Sequence, residues 1–287
     1  MITLQNVSKA FRRTTVLDDL SLTLGRGDRV ALVGSNGAGK TTLIRCILGQ
    51  YVHDGEIRVN SLVPRNNRQA VLKTIGFVPQ IAPPLKMPVG ELVRFCAGTV
   101  GIAGDDIKQL TTRLELDFAE LEKRPFVKLS GGQKQKILIA IAIARKPDLI
   151  IMDEPTANLD PQARQILFEL LSERGDLPVL ISSHRLEEVA GLVNRIVELD
   201  RGQVVLDDAV EDSDDMAARL FCQVTLARPD AAFAKAIGDW RFSASDDDAV
   251  WTGAVAGADR LRFFGVLARY SGIIDGLEMG KPGDRRS

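Results

Sequence analysis

Residues Gly34–Thr41 are the segment of this chain whose types and spacing point most directly to chemistry. They fit the pattern G-x-x-x-x-G-K-[ST] and lie between an apolar stretch, Arg29–Val33, and a helical stretch, Thr42–Leu48. In this pattern glycines let backbone N–H groups approach phosphate oxygens, and the following helix start favours negative charge. Lys40 is predicted to reach the β- and γ-phosphates, and the Thr41 hydroxyl to bind Mg²⁺. A glycine-rich turn without a ligand is the alternative.

A second motif places two carboxylates side by side at the end of an apolar run. Leu149–Met152 has the length and composition of a buried strand, and Asp153 and Glu154 follow it directly. Neighbouring residues of a strand point to opposite sides, so the two carboxylates can have different functions. Asp153 is predicted to hold Mg²⁺ directly or through water, and Glu154 to orient and polarise an attacking water. The alternative is a strand end whose two acids face solvent.

A third motif, Leu129–Gln133 with the sequence LSGGQ, precedes the helical run Lys134–Ala144. Ser130 and Gln133 have the spacing of a capping box, in which each side chain accepts the other residue's backbone N–H. The functional hypothesis is a second helix N-terminus, where Ser130 and the backbone of the two glycines contact a γ-phosphate. The alternative is an ordinary helix start with two flexible glycines. The two nucleotide motifs elsewhere in the chain favour the functional hypothesis.

With these three motifs in this order, residues 1–210 resemble the ATP-binding cassette (ABC) transporter family. The resemblance identifies Gln80, in the sequence GFVPQ, as the glutamine that senses Mg²⁺ and the attacking water. It identifies His184, in the sequence ISSH, as the histidine that contacts the γ-phosphate. The catalytic residues that the resemblance implies are therefore Lys40, Gln80, Glu154 and His184.

The resemblance also implies a set of contacts to ATP and Mg²⁺. Phe11 matches the aromatic position that stacks on adenine; a core aromatic is the alternative. The implied Mg²⁺ ligands are Thr41, Gln80 and Asp153. The implied nucleotide-binding residues are Phe11, Ser35, Asn36, Gly37, Ala38, Gly39, Lys40, Thr41 and Thr42, together with Ser130, Gly131, Gly132, Gln133 and Asp160 of a second copy of the chain.

The resemblance further implies how the chain is assembled. Two copies would pack head to tail as a homodimer, with each ATP between the phosphate loop of one copy and the LSGGQ segment of the other. A membrane-spanning permease subunit on a separate chain would hold this homodimer at the cytoplasmic face of the cell membrane. The implied docking regions are the helical insertion and the segment after Gln80, which includes the proline-rich stretch Ile81–Pro88. An ordinary loop is the other interpretation of those prolines.

The pattern of elements predicts an α/β fold with a P-loop NTPase parallel-sheet core. Short alternating strands before residue 30, together with Gly55–Val59, predict an antiparallel β subdomain. The apolar runs Leu149–Met152 and Val179–Ser182 are typical of parallel strands buried on both faces. Residues at about 85–128 have helical spacing and predict a helical subdomain within the nucleotide-binding domain of residues 1–210.

The chain beyond residue 210 has a different pattern of residues, with an acidic segment followed by short predicted strands and helices. Residues 211–219 are predicted to be an acidic linker, 220–280 a small α+β domain, and 281–287 a tail. The segments of the small domain follow the order β-α-β-β-α-β, which predicts a ferredoxin-like sandwich. A regulatory function, a dimer contact and simple shielding of the core are all open for it. The predicted strands are 222–227, 240–244, 249–255 and 273–277, and the predicted helices are 230–237 and 259–270.

Composition limits the possible partners and compartment. The 287 residues carry a formal net charge of -1, which argues against a nucleic-acid partner. Three scattered cysteines without a Cys-x-x-Cys pair fit no metal site and suit a reducing cytosol, and Cys46 is interpreted as a small core residue. No signal peptide is visible, and the longest apolar run, Ile137–Ala144, is too short to span a bilayer. Any membrane part would therefore come from another chain.

Two other classes of function compete with the transporter subunit. A soluble member of the same superfamily would be a translation factor, which carries two cassettes, or a chromosome or DNA-repair ATPase, which separates its nucleotide motifs by a long coiled coil. Here about 110 residues without heptad runs separate the motifs. A regulatory module with incidental hydrolysis is disfavoured by Glu154. The organisation, one cassette followed by a short C-terminal extension, resembles bacterial export-type systems. In its general organisation alone, the chain is also similar to the ATPase that helps mature nitrous-oxide reductase. The sequence leaves the substrate and the direction of transport open.

Overall fold

The computed structural model describes residues 1–209, 219–238, 240, 242–245, 247–256, 263, 266, 267, 270 and 272–280. The chain divides into two compact units, Met1–Ala209 and Val210–Ser287, which are described separately. The predicted linker 211–219, except for residue 219, and the predicted tail 281–287 lie outside the described residues.

The first unit contains nine strands and seven α-helices, all within its fully described range. Two short 3₁₀ turns, Phe126–Lys128 and Leu186–Glu188, complete its regular structure. Its strands are β1 (Ile2–Phe11), β2 (Thr14–Leu24), β3 (Arg29–Val33), β4 (Asp54–Val59), β5 (Ile75–Val78), β6 (Leu149–Asp153), β7 (Val179–Ser183), β8 (Arg195–Asp200) and β9 (Gln203–Ala209). Its helices are α1 (Lys40–Ile47), α2 (Arg68–Thr74), α3 (Val89–Val100), α4 (Gly104–Arg113), α5 (Phe118–Leu121), α6 (Gly131–Ala144) and α7 (Pro161–Ser172).

A six-stranded sheet in the order β5-β6-β7-β3-β8-β9 forms the centre of this unit. All neighbouring strands are parallel except β9, which forms an antiparallel hairpin with β8. Strands β6 and β7 are buried at every position, as expected for apolar runs that are covered on both faces. Because parallel strands end at the same edge, the residues that follow β3, β5, β6 and β7 are brought together there.

A three-stranded antiparallel sheet in the order β2-β1-β4 packs beside this core. Alternate residues of β1, namely Ile2 and Leu4, are buried, and they join one apolar cluster with Leu43 and Ile47 of α1. Strand β1 extends to Phe11 because its second half pairs with the start of β2. The predicted α/β fold with an antiparallel subdomain is confirmed.

Helices α3, α4 and α5 occupy the region that the sequence predicts to be helical. Ile107 of α4 is fully buried, and Phe118 at the start of α5 is nearly so. Arg113 at the end of α4 makes a bidentate ion pair with Glu173, at 2.5 and 2.8 Å, just after α7. In the ranges that the structure describes, no helix is both long enough and apolar enough to cross a bilayer.

The described part of the second unit is built on a four-stranded antiparallel sheet. Its order, β11-β12-β10-β13, is the one that a β-α-β-β-α-β ferredoxin-like sandwich requires. Strand β11 is shorter than the predicted 240–244, and most of the predicted helix 259–270 lies outside the described residues. The elements are β10 (Arg219–Leu226), α8 (Ala231–Gly238), β11 (Ser243–Ala244), β12 (Val250–Ala256) and β13 (Ile274–Gly280).

Candidate active site

The loop between β3 and α1 has the backbone conformation that its glycines predict. Gly34, Gly37 and Gly39 have φ angles of 148°, 88° and 110°, which residues with a Cβ rarely adopt. The tip of the loop, Ser35–Gly37, is exposed, whereas Ala38–Lys40 are buried. Thr41 and Thr42 follow in the first turn of α1. The tip is therefore open to a ligand while its base is held by the core.

Lys40 lies inside this loop with only 7% of the residue exposed. Its ammonium donates to the carbonyl oxygen of Gly34 at 2.6 Å and to that of Ser35 at 3.3 Å. It also lies 3.8 Å from Glu154 Oε1. The loop thus encloses a positive charge at the place where phosphate oxygens are predicted.

Asp153 at the end of β6 faces the start of α1. Its Oδ1 accepts hydrogen bonds from Thr41 Oγ1 at 3.2 Å and from Ser182 Oγ at 2.6 Å. Asp153 is 3% exposed, and Ser182 at the end of β7 is fully buried. The structure thus brings together the two motifs that contain Thr41 and Asp153, although more than a hundred residues separate them.

Glu154 adopts a left-handed backbone conformation with φ of 51° as the chain leaves β6. Its N–H donates to the Ser182 carbonyl at 3.2 Å and to the Ser182 hydroxyl at 2.9 Å. Its Oε2 lies 2.7 Å from Nδ1 of His184, so the predicted carboxylate and histidine form one pair. Residues in such a conformation persist only where their surroundings hold them, which is typical of active sites.

Ser182 was not among the residues that the sequence analysis identified. Its position at the carboxyl end of a strand next to β6, two residues before His184, is the signal that could have indicated it. Gln80, which was predicted to be catalytic, is exposed and follows β5 by two residues at the same edge of the sheet. No hydrogen bond within Met1–Ala209 joins Gln80 to Thr41 or Asp153.

The aromatic side chain at position 11 is 40% exposed, which excludes its interpretation as a core residue. The ring of Phe11 packs edge-to-face against Tyr51, with centroids 5.2 Å apart and an interplanar angle of 81°. The ammonium of Lys9 lies 4.7 Å from the centre of the Phe11 ring. An exposed ring held by one neighbouring ring and one cation is suited to stacking against a base.

The LSGGQ segment begins α6 with a complete capping box. The Gln133 N–H donates to Ser130 Oγ at 3.2 Å, and the Ser130 N–H donates to Gln133 Oε1 at 3.1 Å. Ser130 and Gly131 are exposed, and a Cβ on Gly131 or Gly132 would come within 3.2 Å of Asn158. The capping prediction is confirmed, and the exposed helix start remains open to a ligand.

Asp160, which directly precedes α7, links this segment's helix α6 to α7. Its carboxylate caps α7 by accepting the Ala163 N–H at 2.8 Å, and it pairs with Lys136 of α6 at 3.3 Å. The hydrogen bond from the Ala163 N–H, followed by Lys136, lowers the pKa of Asp160. These contacts join α6 and α7 to each other, and none of the hydrogen bonds or ion pairs within Met1–Ala209 joins Ser130–Gln133 to the phosphate loop.

Gly39→Ala is expected to unfold at a lower urea concentration than the matched Gly37→Ala. Both glycines have positive φ angles, but a Cβ at position 39 would lie 2.8 Å from the Val16 carbonyl oxygen, whereas one at position 37 would meet nothing within 4 Å. The collision should cost about 1–3 kcal/mol of additional unfolding free energy. Urea titration of both variants measures the difference, and equal midpoints would show that the loop can yield at position 39.

Comparisons with known proteins agree with this geometry. Residues 17–157 match the family described as ABC transporter. The linearmycin resistance ATP-binding protein LnrL of Bacillus subtilis (strain 168) is 33% identical over 248 residues, which cover 83% of this chain and 78% of that protein. The Nod factor export ATP-binding protein I of Paraburkholderia xenovorans (strain LB400) is 34% identical over 234 residues, or 78% of this chain and 75% of that protein. A solved structure of an ATP binding subunit of an ABC transporter superposes with a TM-score of 0.68 and 27% identity, covering 74% of this chain and 91% of that chain. The chain therefore belongs to the ABC transporter family, as an ATP-hydrolysing subunit of a transporter.

Proposed function

We propose that this chain drives an export-type transporter as a homodimer with two composite ATP sites. The observation that carries the proposal is the hydrogen-bonded cluster of Thr41, Asp153, Glu154 and His184 next to the buried ammonium of Lys40. Such a cluster puts a phosphate-binding cation, a metal-binding carboxylate and a candidate base at one edge of the sheet. Phosphoryl transfer needs these parts in place, since catalysis here consists mainly of positioning and charge stabilisation.

The phosphate loop and α1 would bind the triphosphate. The exposed N–H groups of Ser35–Gly37 would face phosphate oxygens, with Ala38–Thr42 behind them, and Lys40 would exchange its carbonyl contacts for the β- and γ-phosphates. The exposed ring of Phe11 would stack on adenine. Base stacking on an aromatic ring is worth about 1–3 kcal/mol per base in nucleic-acid complexes.

The residues around Asp153 fit a bound Mg²⁺. The Thr41 hydroxyl and an Asp153 carboxylate oxygen lie 3.2 Å apart, and Mg²⁺ is commonly held by one or two protein oxygens together with substrate phosphates and water. No group of three or more His, Cys, Asp or Glu side chains that could hold a metal occurs among the described residues, so the phosphates would complete the site. Bound Mg²⁺ would neutralise charge on the phosphates, and Gln80, exposed beside this edge, would approach it from β5.

Glu154 is proposed to accept the proton of the attacking water. Its carboxylate is held from one side by His184 at 2.7 Å and from the other by the Lys40 ammonium at 3.8 Å. His184 has 42% of its side chain exposed, so it can contact a γ-phosphate while it orients the carboxylate. A positioned base of this kind typically contributes about 10²–10⁴-fold to the rate.

A second copy of the chain would complete each site. The segment Ser130–Gln133 forms a helix start whose first two residues are exposed, and its glycines lie beside Asn158 rather than beside the phosphate loop of the same chain. In a head-to-tail homodimer this helix start and Asp160 would meet the γ-phosphate bound by the partner copy. Nucleotide binding would thereby hold the two copies together, and hydrolysis would release them.

A groove of about 710 Å³ between the core and the helical region is the proposed docking site for the permease. Its apolar floor includes Leu72 and Phe77, and its lining has three cations, Arg68, Lys73 and Arg145. None of the described residues that line it is acidic. We infer that a cytoplasmic segment of the permease with apolar and acidic side chains fits this groove.

Two exposed apolar residues, one next to Gln80 and one on α3, extend the proposed docking surface for the permease beyond the groove. Ile81 directly follows Gln80 and is 81% exposed, and Phe95 on α3 is 63% exposed. Neither residue lines the groove, but Phe95 is on the same helix as its lining residues Thr99 and Val100, and exposed large apolar residues are typical of protein interaction sites. Docking here would place the dimer at the cytoplasmic face of the cell membrane and connect the permease to the residue next to the proposed Mg²⁺ site.

Of the two relatives reported above, the one named for Nod factor export supports export as the direction of transport. One is named for linearmycin resistance and the other for Nod factor export, and both are at least 33% identical to this chain over more than two thirds of its length. A link to nitrous-oxide reductase maturation stays a prediction from the general organisation of the chain.

Affinity capture of the tagged full chain from detergent-solubilised native membranes tests this function. A polytopic membrane protein should be recovered at close to one copy per chain. Lys73→Glu should lower the recovery by at least about tenfold, because like charges placed against an acidic segment repel it. Arg26→Glu, an equal charge reversal at a residue that does not line this groove, is the control and should change nothing. Recovery of ribosomal or DNA-associated partners instead would contradict the transporter assignment.

A further inference from the structure

Ser182 is a buried polar residue that has no role in the ATP binding and hydrolysis proposed above. It is the fourth residue of β7, is 0% exposed and lies opposite Asp153 in the β6–β7 pair. Its hydroxyl donates to Asp153 Oδ1 at 2.6 Å and accepts the Glu154 N–H at 2.9 Å. A serine hydroxyl has a single hydrogen to donate, and here that hydrogen is committed to the Asp153 carboxylate.

We propose that Ser182 is a positioning residue that orients the Asp153 carboxylate for Mg²⁺ and, through the same oxygen, fixes the backbone of Glu154. The proposal rests on the proposed function, because it takes Asp153 as a metal-binding residue. One serine would then hold together the metal-binding side chain and the candidate base.

The hydrogen bonds to Asp153 leave one of its two carboxylate oxygens available to a cation. Both Ser182 and Thr41 donate to Oδ1, and no hydrogen bond among the described residues is made to Oδ2. When the Thr41 hydroxyl turns toward a cation, Ser182 still holds Oδ1, so the carboxylate keeps its orientation with Oδ2 unoccupied. Residues that hydrogen-bond a metal ligand in this way commonly affect metal affinity by about 10–100-fold.

Ser182 also contacts Glu154, whose backbone has an uncommon conformation. Glu154 has a φ of 51°, and its N–H is shared between the carbonyl and the hydroxyl of Ser182. This N–H keeps the carbonyl as a partner at 3.2 Å when the hydroxyl is removed. A Ser182→Ala variant therefore loses the hydrogen bond to the Asp153 carboxylate, while the Glu154 N–H keeps the Ser182 carbonyl as its partner.

Ser183 provides a matched control at the next position. It is also fully buried, but its hydroxyl donates to the Arg185 carbonyl at 2.8 Å and accepts the Arg185 N–H at 3.0 Å. These bonds shape the turn after β7 and do not involve either carboxylate. A general effect of losing a buried hydroxyl at this strand end should therefore occur in Ser183→Ala as well.

The test measures binding of a fluorescent ATP analogue to the full chain while MgCl₂ is titrated. Ser182→Ala should need about 10–100-fold more Mg²⁺ for half-maximal binding, with unchanged affinity for the analogue in EDTA. Ser183→Ala and Ser182→Thr, which keeps the hydroxyl, should behave like the original chain. Ser182→Cys keeps the side-chain volume with a weaker donor, and it carries the same test if Ser182→Ala does not fold.

Asp153→Asn separates failure of this inference from failure of the metal site. If Asp153→Asn raises the Mg²⁺ requirement and neither Ser182→Ala nor Ser182→Cys does, the metal site stands and the role of Ser182 is wrong. An unchanged requirement in Asp153→Asn would instead overturn the metal assignment. An equal shift in Ser182→Ala and Ser183→Ala would show that the effect is structural and would also overturn the proposal.

Discussion

Lys40→Ala should lower the rate of ATP hydrolysis by about 10²–10³-fold, as expected when a preorganised charge that stabilises the transferred phosphate is lost. In the structure this ammonium is buried inside the phosphate loop and donates hydrogen bonds to the carbonyl oxygens of Gly34 and Ser35 in the same loop. A methyl group there can neither neutralise phosphate charge nor reach the γ-phosphate. Steady-state release of phosphate from ATP measures the effect.

Lys123→Ala is the control for that experiment, since Lys123 is an exposed lysine of the same chain, between α5 and α6. Its rate should equal that of the original chain. Unchanged turnover in Lys40→Ala would remove the assignment of the phosphate loop. A melting curve of each variant shows whether a lost rate reflects lost folding, because Lys40→Ala also removes two hydrogen bonds.

Glu154→Gln should bind ATP but hydrolyse it about 10²–10⁴-fold more slowly, because an amide cannot accept a proton from water. The substitution keeps the size of the side chain and its reach toward His184. With hydrolysis blocked and both half-sites present, ATP and Mg²⁺ should hold two copies together. Size-exclusion chromatography with light scattering should then show a stable dimer with ATP and Mg²⁺ and a monomer without nucleotide.

Glu120→Gln supplies the matched change of charge at an exposed position on α5 and should hydrolyse ATP normally. Loss of turnover in Glu154→Gln together with monomers at saturating ATP and Mg²⁺ would argue against a composite site. Turnover close to that of Glu120→Gln would argue against Glu154 as the base.

The core of the fold was predictable because its signals are local and strong. Leu149–Met152 and Val179–Ser182 are continuous apolar runs, and both are fully buried parallel strands. The capped start of α6 at Ser130 was predicted from the spacing of Ser130 and Gln133. The strand order of the small domain followed from the order of its segments, although β11 is shorter than predicted.

The parts of the candidate site that the sequence missed depend on neighbours in space. Ser182 has no motif of its own, and its contact with Asp153 arises only from the pairing of β6 with β7. The packing of Tyr51 against Phe11 likewise joins residues 40 positions apart. No local pattern reports such contacts, because they are set by the topology of the sheets and not by spacing along the chain.

Helix α7 is tied at both of its ends to other helices of the first unit. Asp160 at its start pairs with Lys136 of α6, and Glu173 just after it holds Arg113 of α4. Its 12 residues span about 18 Å as a straight, internally bonded rod. The helix would therefore act as one rigid element, along which a rotation of α4 would be passed toward Asp160. Because Arg113 and Glu173 are both exposed, high salt should weaken their ion pair, whereas the Lys136 side chain at the other end is only 10% exposed and its pair with Asp160 should be screened less.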